Sequence, residues 1–574
     1  MKTLLAALLL GLPACLMAGD AAAFWSVDSM TRILPNTPPR VVDEIQLHAC
    51  RNSTEAFQVI VTAPGSIQRQ ARITVSPWRG SQSQVAPLTT LYQEHFVRVT
   101  TSSPHAPLPP GDYPDPLVPS ANGRYLIYPT DLPLADSSMT NQPWWIDVKI
   151  PASTMAGDYR ATVSLTTETE QRSIPIKLTV WPITLPERPA LRSAFVAHWG
   201  RVAEIHGLAR NGQDPELRTL TTQYHLLLAA HRLAADPLDP VIDLAPDGSI
   251  RSISVKEYED RFQRQHATSL PVPMTSTWPF ADPLGKHRES AIRFLASFMQ
   301  VMKQHGWEKF CFLDCPVDEP ESATAYEQVR AWGNLCHEAS RASGIRLPLL
   351  CTEQPLPSKS EWGSLAGAVD IWVPYLGELW HSPDQPDPSI LLKQRQAAGD
   401  EIWTYVAMVQ YPKRFLRNTA DHPIDHHPPA WLLDYAPMNF RITAWLCAAN
   451  DWRGLLYWDT VNWPSGADPW RDPATFRQGT TVYNGDGCLI YPTTKGPVPS
   501  MRLKWLRASF EDHALIQLAR EAGLKMFTDQ QVNSIARGVA DWDADPAPLL
   551  DARRKIGEAL ARHQTRALLS TQRP

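Results

Sequence analysis

The chain has 574 residues, a formal net charge of −5, 43% hydrophobic residues and 20% charged residues. That length exceeds what one hydrophobic core serves, so at least two domains are required, and the composition excludes an intrinsically disordered chain. Lys, Arg, Asp and Glu are interspersed throughout, so no basic stripe exists for a phosphate backbone, which excludes nucleic acid as a partner.

At the N-terminus Lys2 precedes an apolar run over 4–12 and small residues ending at 21–23, the layout of a cleaved secretory signal. Residues 1–23 are therefore expected to be a signal peptide and the protein to be exported, periplasmic or extracellular. The run is too short to span a bilayer at ~20 residues, and no later segment suits, so no transmembrane segment is expected. Leu12-Pro13-Ala14-Cys15 resembles a bacterial lipoprotein cleavage site, which makes a lipid anchor at Cys15 the alternative to free release. Seven further cysteines are an odd number that excludes complete intrachain pairing. Cys311 and Cys315 lack the paired spacing of a zinc site and read as buried thiols.

Residues 24–189 show short alternating segments cut by Pro, Gly, Asn and Asp. Ile146, Val148 and Ile150 form one buried face; Tyr159, Ala161, Val163 and Leu165 a second; Ile174, Ile176, Leu178 and Val180 a third. This pattern predicts an antiparallel β-sandwich, with 104–119 as a long proline-rich loop and 181–189 as a linker. Pro, at 53 residues about twice its average usage, supports such stiff connections.

From about 190 the period changes. Candidate strands at 193–198, 233–237, 270–277, 309–314, 346–352, 369–373, 401–407 and 455–459 alternate with helical stretches that include 215–231, 288–305, 324–343 and 430–450. Eight strands in such a span predict a (β/α)8 TIM barrel over 190–523, followed by a C-terminal helical tail over 524–574. The fold class is multidomain, α and β.

Reactive groups in such a barrel sit at the C-terminal ends of its strands. The fourth candidate strand runs into Phe312-Leu313-Asp314-Cys315-Pro316-Val317-Asp318-Glu319-Pro320, two consecutive carboxylates in a proline-bounded turn. One reading is structural: an acid pair at the start of the helix near Ser322, favourable against its dipole. The other is catalytic. Neighbours on one turn cannot bracket a sugar from two sides, as a retaining enzyme with a protein nucleophile requires at ~5–5.5 Å. They can act from one side, one protonating the leaving oxygen while the other holds a substrate group, such as a 2-acetamido, that attacks the anomeric carbon. Placing two carboxylates side by side also pushes their pKa values apart, leaving one an acid and the other ionised.

Further motifs accompany this pair: Arg51-Asn52-Ser53-Thr54-Glu55-Ala56-Phe57-Gln58, Gly111-Asp112-Tyr113-Pro114-Asp115-Pro116-Leu117, Ala156-Gly157-Asp158-Tyr159, His231-Arg232, Trp403-Thr404-Tyr405, Gly454-Leu455-Leu456-Tyr457-Trp458, Asn484-Gly485-Asp486-Gly487 and Pro497-Val498-Pro499-Ser500-Met501-Arg502. In these residues, over nearly the whole chain, the sequence resembles glycoside hydrolase family 123, β-N-acetylgalactosaminidases acting by substrate-assisted catalysis. The resemblance implies that Glu319 is the general acid/base, that Asp318 orients the acetamido group, and that Tyr405 donates to the acetamido oxygen. Substrate contacts are expected from Trp403, Trp458, Tyr457, Trp278, Arg232 and Asp459, with no cofactor and no metal.

Trp278, Trp403, Trp458, Trp463 and Trp470 fall at or beyond candidate strand ends, where an indole face either stacks on a sugar or fills the core. His422, Asp425, His426 and His427 differ from the family pattern; their spacing fits no metal site and reads as a solvated loop. Asn484-Gly485-Asp486-Gly487 is primarily a turn signal. The expected partner is a glycan or glycoconjugate, and the expected function removal of β-linked N-acetylgalactosamine. The alternatives are a glycosidase of other sugar specificity on this scaffold and a non-catalytic carbohydrate-binding surface protein.

Overall fold

The alternation over Ile174–Val180 buries Ile174, Ile176, Leu178 and Val180 and turns Ser173 and Pro175 to solvent, as a pleated strand with one covered face must. In the computed structural model that strand, β10 (Gln171–Thr184), joins β2 (Ile45–Arg51), β9 (Gly157–Thr166), β4 (Arg72–Val75) and β5 (Arg79–Gly80) in one sheet. A second sheet has the order β1 (Ala23–Asp28), β3 (Ser53–Thr62), β8 (Asn141–Ile150), β6 (Leu88–Val99) and β7 (Gly111–Pro119). Phe57, Val59, Ile146 and Val148 of one sheet and Val163, Leu165, Ile176 and Leu178 of the other share a single apolar cluster. The structure describes residues 22–571 except 64–67, 69, 81–84, 121–140, 211, 213, 239, 381–386 and 410–426.

Three details correct the sequence reading of this region. The β2–β10 ladder is parallel, so the sheets are not wholly antiparallel. Residues 111–119 form strand β7 rather than a loop: β7 is an edge strand, where prolines that lack an N–H are tolerated. Trp181 and Pro182 continue β10 to Thr184, which shortens the linker.

The second half is a parallel sheet of seven strands with the order β11 (Arg192–Phe195), β19 (Gly454–Tyr457), β18 (Glu401–Val406), β17 (Ile371–Trp372), β16 (Leu349–Cys351), β15 (Cys311–Asp314) and β14 (Leu270–Pro271). β12 (Ile242–Leu244) and β13 (Ile250–Ile253) form a separate hairpin. The second expected strand, 233–237, makes a single bridge, Ala235 to Phe195, and among the described residues no ladder joins it to β14. Pro237 beside it, and Pro271 and Pro273 around β14, remove donors that a full ladder needs. Helices Pro215–Ala230, Arg288–Gln304 and Ala323–Ser343 form where their patterns predict; the fourth begins at Met438, after Pro437, rather than at 430.

The two halves are joined by helix Met501–Ala519, which is buried around almost its whole circumference. Arg502 pairs with Asp115 of β7 at 2.8 Å, and Lys504 and Arg507 each reach Asp147 of β8 at 2.7 Å. Asp512 holds Arg441 and Arg553, at 2.8 and 2.7 Å. Helix Ala547–Thr571 closes the chain, and Gly557 lies so close to Trp181 that a Cβ there would stand 2.2 Å from the ring. Among the described residues no helix is long and apolar enough to cross a membrane, and the seven cysteines are buried thiols.

Candidate active site

β15 delivers Asp314 to the mouth of the parallel sheet, and the turn after it sets Asp318 and Glu319 at the rim, before Ser322 caps the next helix by accepting from Ala325 N–H. Glu319 has a φ of 42°, a left-handed conformation that a non-glycine residue holds only where its surroundings enforce it. Two contacts do so. Its N–H donates to Thr352 Oγ1 at 3.0 Å, and the Tyr405 hydroxyl donates to its Oε1. Thr352, the residue after β16, donates in turn to Asp318 Oδ1 at 2.7 Å.

These groups line a cavity of about 420 Å³ together with Asp314, Cys315, Met408, Leu456, Trp458 and Phe476. A second, more polar lobe of about 490 Å³ shares Glu319, Thr352, Tyr405 and Met408 with the first and adds Glu353, Tyr375, Glu378 and Tyr483. Glu319 and Tyr405 thus stand where the two lobes meet. The volume is that of a small-ligand site, with apolar and aromatic walls and a few converging polar groups.

The electrostatics follow from enclosure. Water in the cavity reaches Asp314, but the barrel wall surrounds it; that enclosure, then the Asp236 and Asp318 charges, raise its carboxyl to about 7. Glu353 is also raised to about 7 by burial, with Glu378 and Glu319 adding to the effect against the hydrogen bond it accepts from Gln354 N–H. Burial, followed by the Glu319 charge and hydrogen bond, keeps Tyr405 well above the usual phenol range, so it remains a donor.

Of the aromatic candidates, Trp458 lines the cavity, its indole N–H aimed at Asp486 Oδ1 at 3.4 Å and its ring edge-on to Phe476. The 484–487 segment is a turn, and Gly487 in it, with φ 66°, leaves no room for a side chain: a Cβ would fall 2.5 Å from Trp458. Asp486 also receives Met408 N–H and the Tyr457 hydroxyl, so this buried turn fixes one wall of the site. Burial raises the Asp486 carboxyl to about 6.

Other expected contacts lie elsewhere. Tyr457 is buried behind Trp458. Trp403 fills the barrel interior beneath the mouth, donating to Glu401 and lying under Arg192. Arg232 pairs with Glu511 at 3.1 Å and reaches the carbonyls of Pro186 and Asn52, a contact between the two halves of the chain. Asp459 is fully buried and spent on His198 Nδ1 at 2.7 Å and two backbone N–H groups; it holds His198 at the mouth and raises its pKa through that bond. Trp278 is 40% exposed and packs edge-on against Phe294, outside the residues that line the cavity. Trp463 and Trp470 are core residues. His427 is buried between Tyr435 and Trp542, whereas His422, Asp425 and His426 lie outside the described residues.

Asp314, Thr352, Met408 and Phe476 were not singled out by sequence. For the first two the available signal was their place at the C-terminal ends of candidate strands; for Phe476, in a short hairpin after the barrel, there was none.

Residues 285–519 match the family described as glycoside hydrolase 123, catalytic domain. No curated protein matches the sequence. Among solved structures, a family 123 glycoside hydrolase from Clostridium perfringens, analysed for glycolipid glycan hydrolysis, superposes with a TM-score of 0.68 at 14% identity, over 96% of this chain and all of that one. At that identity the likeness is one of fold. A Faecalibacterium prausnitzii β-glucuronidase aligns over 86% of this chain and 97% of its own at 12% identity, but its TM-score of 0.31 is too low to bear on the architecture.

Proposed function

The chain carries a glycoside hydrolase family 123 catalytic domain, and from that premise we propose that it is a retaining, exo-acting enzyme that removes β-linked N-acetylgalactosamine by substrate-assisted catalysis. The observation that carries this reading is the convergence of Asp318, Glu319 and Tyr405 on one cavity with Trp458 in its wall. In the proposed cycle Asp318 accepts the acetamido N–H, which raises the nucleophilicity of the acetamido oxygen. That oxygen attacks the anomeric carbon while Glu319 protonates the departing glycosidic oxygen, and an oxazolinium ion forms. Glu319 then takes a proton from water, which opens the ring from the face the aglycone left, so configuration is retained.

Without substrate the Tyr405 hydroxyl is donated to Glu319. Transfer of that hydrogen bond to the acetamido oxygen would both place the nucleophile and leave Glu319 free to carry its proton. Support for assistance by the substrate, rather than attack by a protein carboxylate, comes from Asp318 and Glu319 being neighbours on one turn, which suits approach from one side.

The same proposal takes the two leading sheets as a sandwich buttressing the catalytic half, and the seven-stranded sheet as a (β/α)8 barrel with its second strand reduced to a bridge. It takes residues 1–23 as a secretory signal, with lipidation at Cys15 as the alternative to release. Hydrolysis of the nitrophenyl β-glycosides of N-acetylgalactosamine, N-acetylglucosamine and galactose tests it. Cleavage confined to the galacto acetamido sugar is expected; cleavage of galactoside at a comparable rate would remove the acetamido group from the mechanism.

A further inference from the structure

Asp314 ends β15 four residues before the Asp318-Glu319 pair and opens into the same cavity. The other two carboxyls have protein partners: Asp318 accepts from Thr352, and Glu319 from Tyr405. Among the described residues nothing hydrogen-bonds the Asp314 carboxyl, which opens to water in the cavity it lines. A polar group placed like this takes its partners from water or from a ligand.

We propose that Asp314 is a substrate-binding residue that grips a ring hydroxyl of the sugar held against Asp318 and Glu319, an inference that rests on the glycosidase reading above. Its position fits: it ends β15, four residues before the turn that carries the pair, and lines the same cavity as Asp318, Glu319 and Tyr405. A pyranose presents several hydroxyls besides the acetamido group, and each buried one requires a partner.

Charge decides the form in which Asp314 binds. The groups around it are Asp318 on its own turn, Asp236 at the end of the 233–237 segment, and the Cys351 thiol of β16. His198 faces Asp236 from the chain beyond β11. Below about 7 Asp314 is a neutral acid, which donates to one hydroxyl oxygen and accepts from another without adding a third negative charge. Above that pH it accepts only and crowds the pair with like charge, so sugar binding weakens as pH rises through neutrality.

The test compares wild type, Asp314→Ala and Asp314→Asn by calorimetric binding of N-acetylgalactosamine and by kcat/KM on its nitrophenyl β-glycoside, across the neutral pH range. Asp314→Ala is expected to lose roughly 3- to 10-fold in both, the net worth of one hydrogen bond exchanged with water. Asp314→Asn, which keeps one donor and one acceptor side, recovers part of that loss and abolishes the decline of binding above about pH 7. Wild-type sugar affinity in Asp314→Ala, or an unchanged alkaline decline in Asp314→Asn, would overturn the proposal. A wild type that binds the monosaccharide but cleaves no glycoside would remove the glycosidase reading while the binding comparison still judges Asp314. Binding of no sugar by wild type would remove both.

Discussion

Thr352 donates its hydroxyl to Asp318 Oδ1 at 2.7 Å, and the same oxygen accepts the N–H of Glu319 at 3.0 Å, so one side chain just past the neighbouring strand fixes both members of the carboxylate pair. Thr352→Val keeps the shape and removes both bonds. Hydrogen bonds to charged groups are worth about 1.5–3 kcal/mol, so kcat/KM should fall by roughly 10- to 100-fold. Thr352→Ser should retain most activity. Equal activity in the Val and wild-type enzymes would show that the turn holds itself.

If Glu319 is the acid, its loss should matter most where the leaving group most needs a proton. Glu319→Gln is expected to reduce hydrolysis of an alkyl or glycosyl N-acetylgalactosaminide by roughly 100- to 10,000-fold, and that of an activated aryl glycoside by much less in its first step. Tyr405→Phe deletes the donor to Glu319 Oε1 and should cost less than Glu319→Gln. Identical losses on both classes of substrate in Glu319→Gln would argue against proton donation by this residue.

Much of this arrangement is legible in the sequence because it is local. Alternation located β8, β9 and β10, and the proline-bounded Asp318-Glu319 turn announced itself at a strand end. What escaped the sequence depends on partners far along the chain. Arg232 looks like a site residue in its motif, but its partner Glu511 is 279 positions away. Asp459 follows a strand as a catalytic acid would, yet it is consumed by His198, 261 positions earlier. β7 reads as a loop in the sequence because proline is weighed by local propensity, while the property that tolerates it, an edge position, is set by the whole sheet.

The union of the two halves should be sensitive to Asp147. Burial alone would raise this carboxyl, but Arg507 and Lys504, both within hydrogen-bond reach, hold it well below the usual carboxylate range. Asp147→Ala would leave two buried cations without their counter-ion, at a cost of about 3–5 kcal/mol, which melting or denaturant unfolding should register. Arg98→Ala breaks an ion pair to Asp112 in which the arginine is 62% exposed, and should change stability by less than ~1 kcal/mol. Comparable effects from the two variants would mean that the Asp147 ion pairs add little to the hold on helix Met501–Ala519.

Glu94 in β6 gives the pH dependence a definite sign. It is fully buried, and among the described residues neither carboxyl oxygen has a hydrogen-bond partner; burial raises its pKa to about 8 despite the opposing charge of Arg32. In the unfolded chain a glutamate titrates near ~4.3. Between those values the folded protein holds a proton that the unfolded chain has released, so this group's contribution falls steadily as pH rises and levels off above about 8. The full loss is on the order of 3–5 kcal/mol. Glu94→Gln removes the titration while preserving shape. Its Tm should therefore match wild type near ~pH 4 and exceed it by a growing margin toward pH 8. Asp314, Glu353 and Asp486 are raised in the same direction, but they remain in the variant and cancel in the comparison. A Tm difference that does not change with pH would mean that Glu94 does not keep its proton in the folded protein.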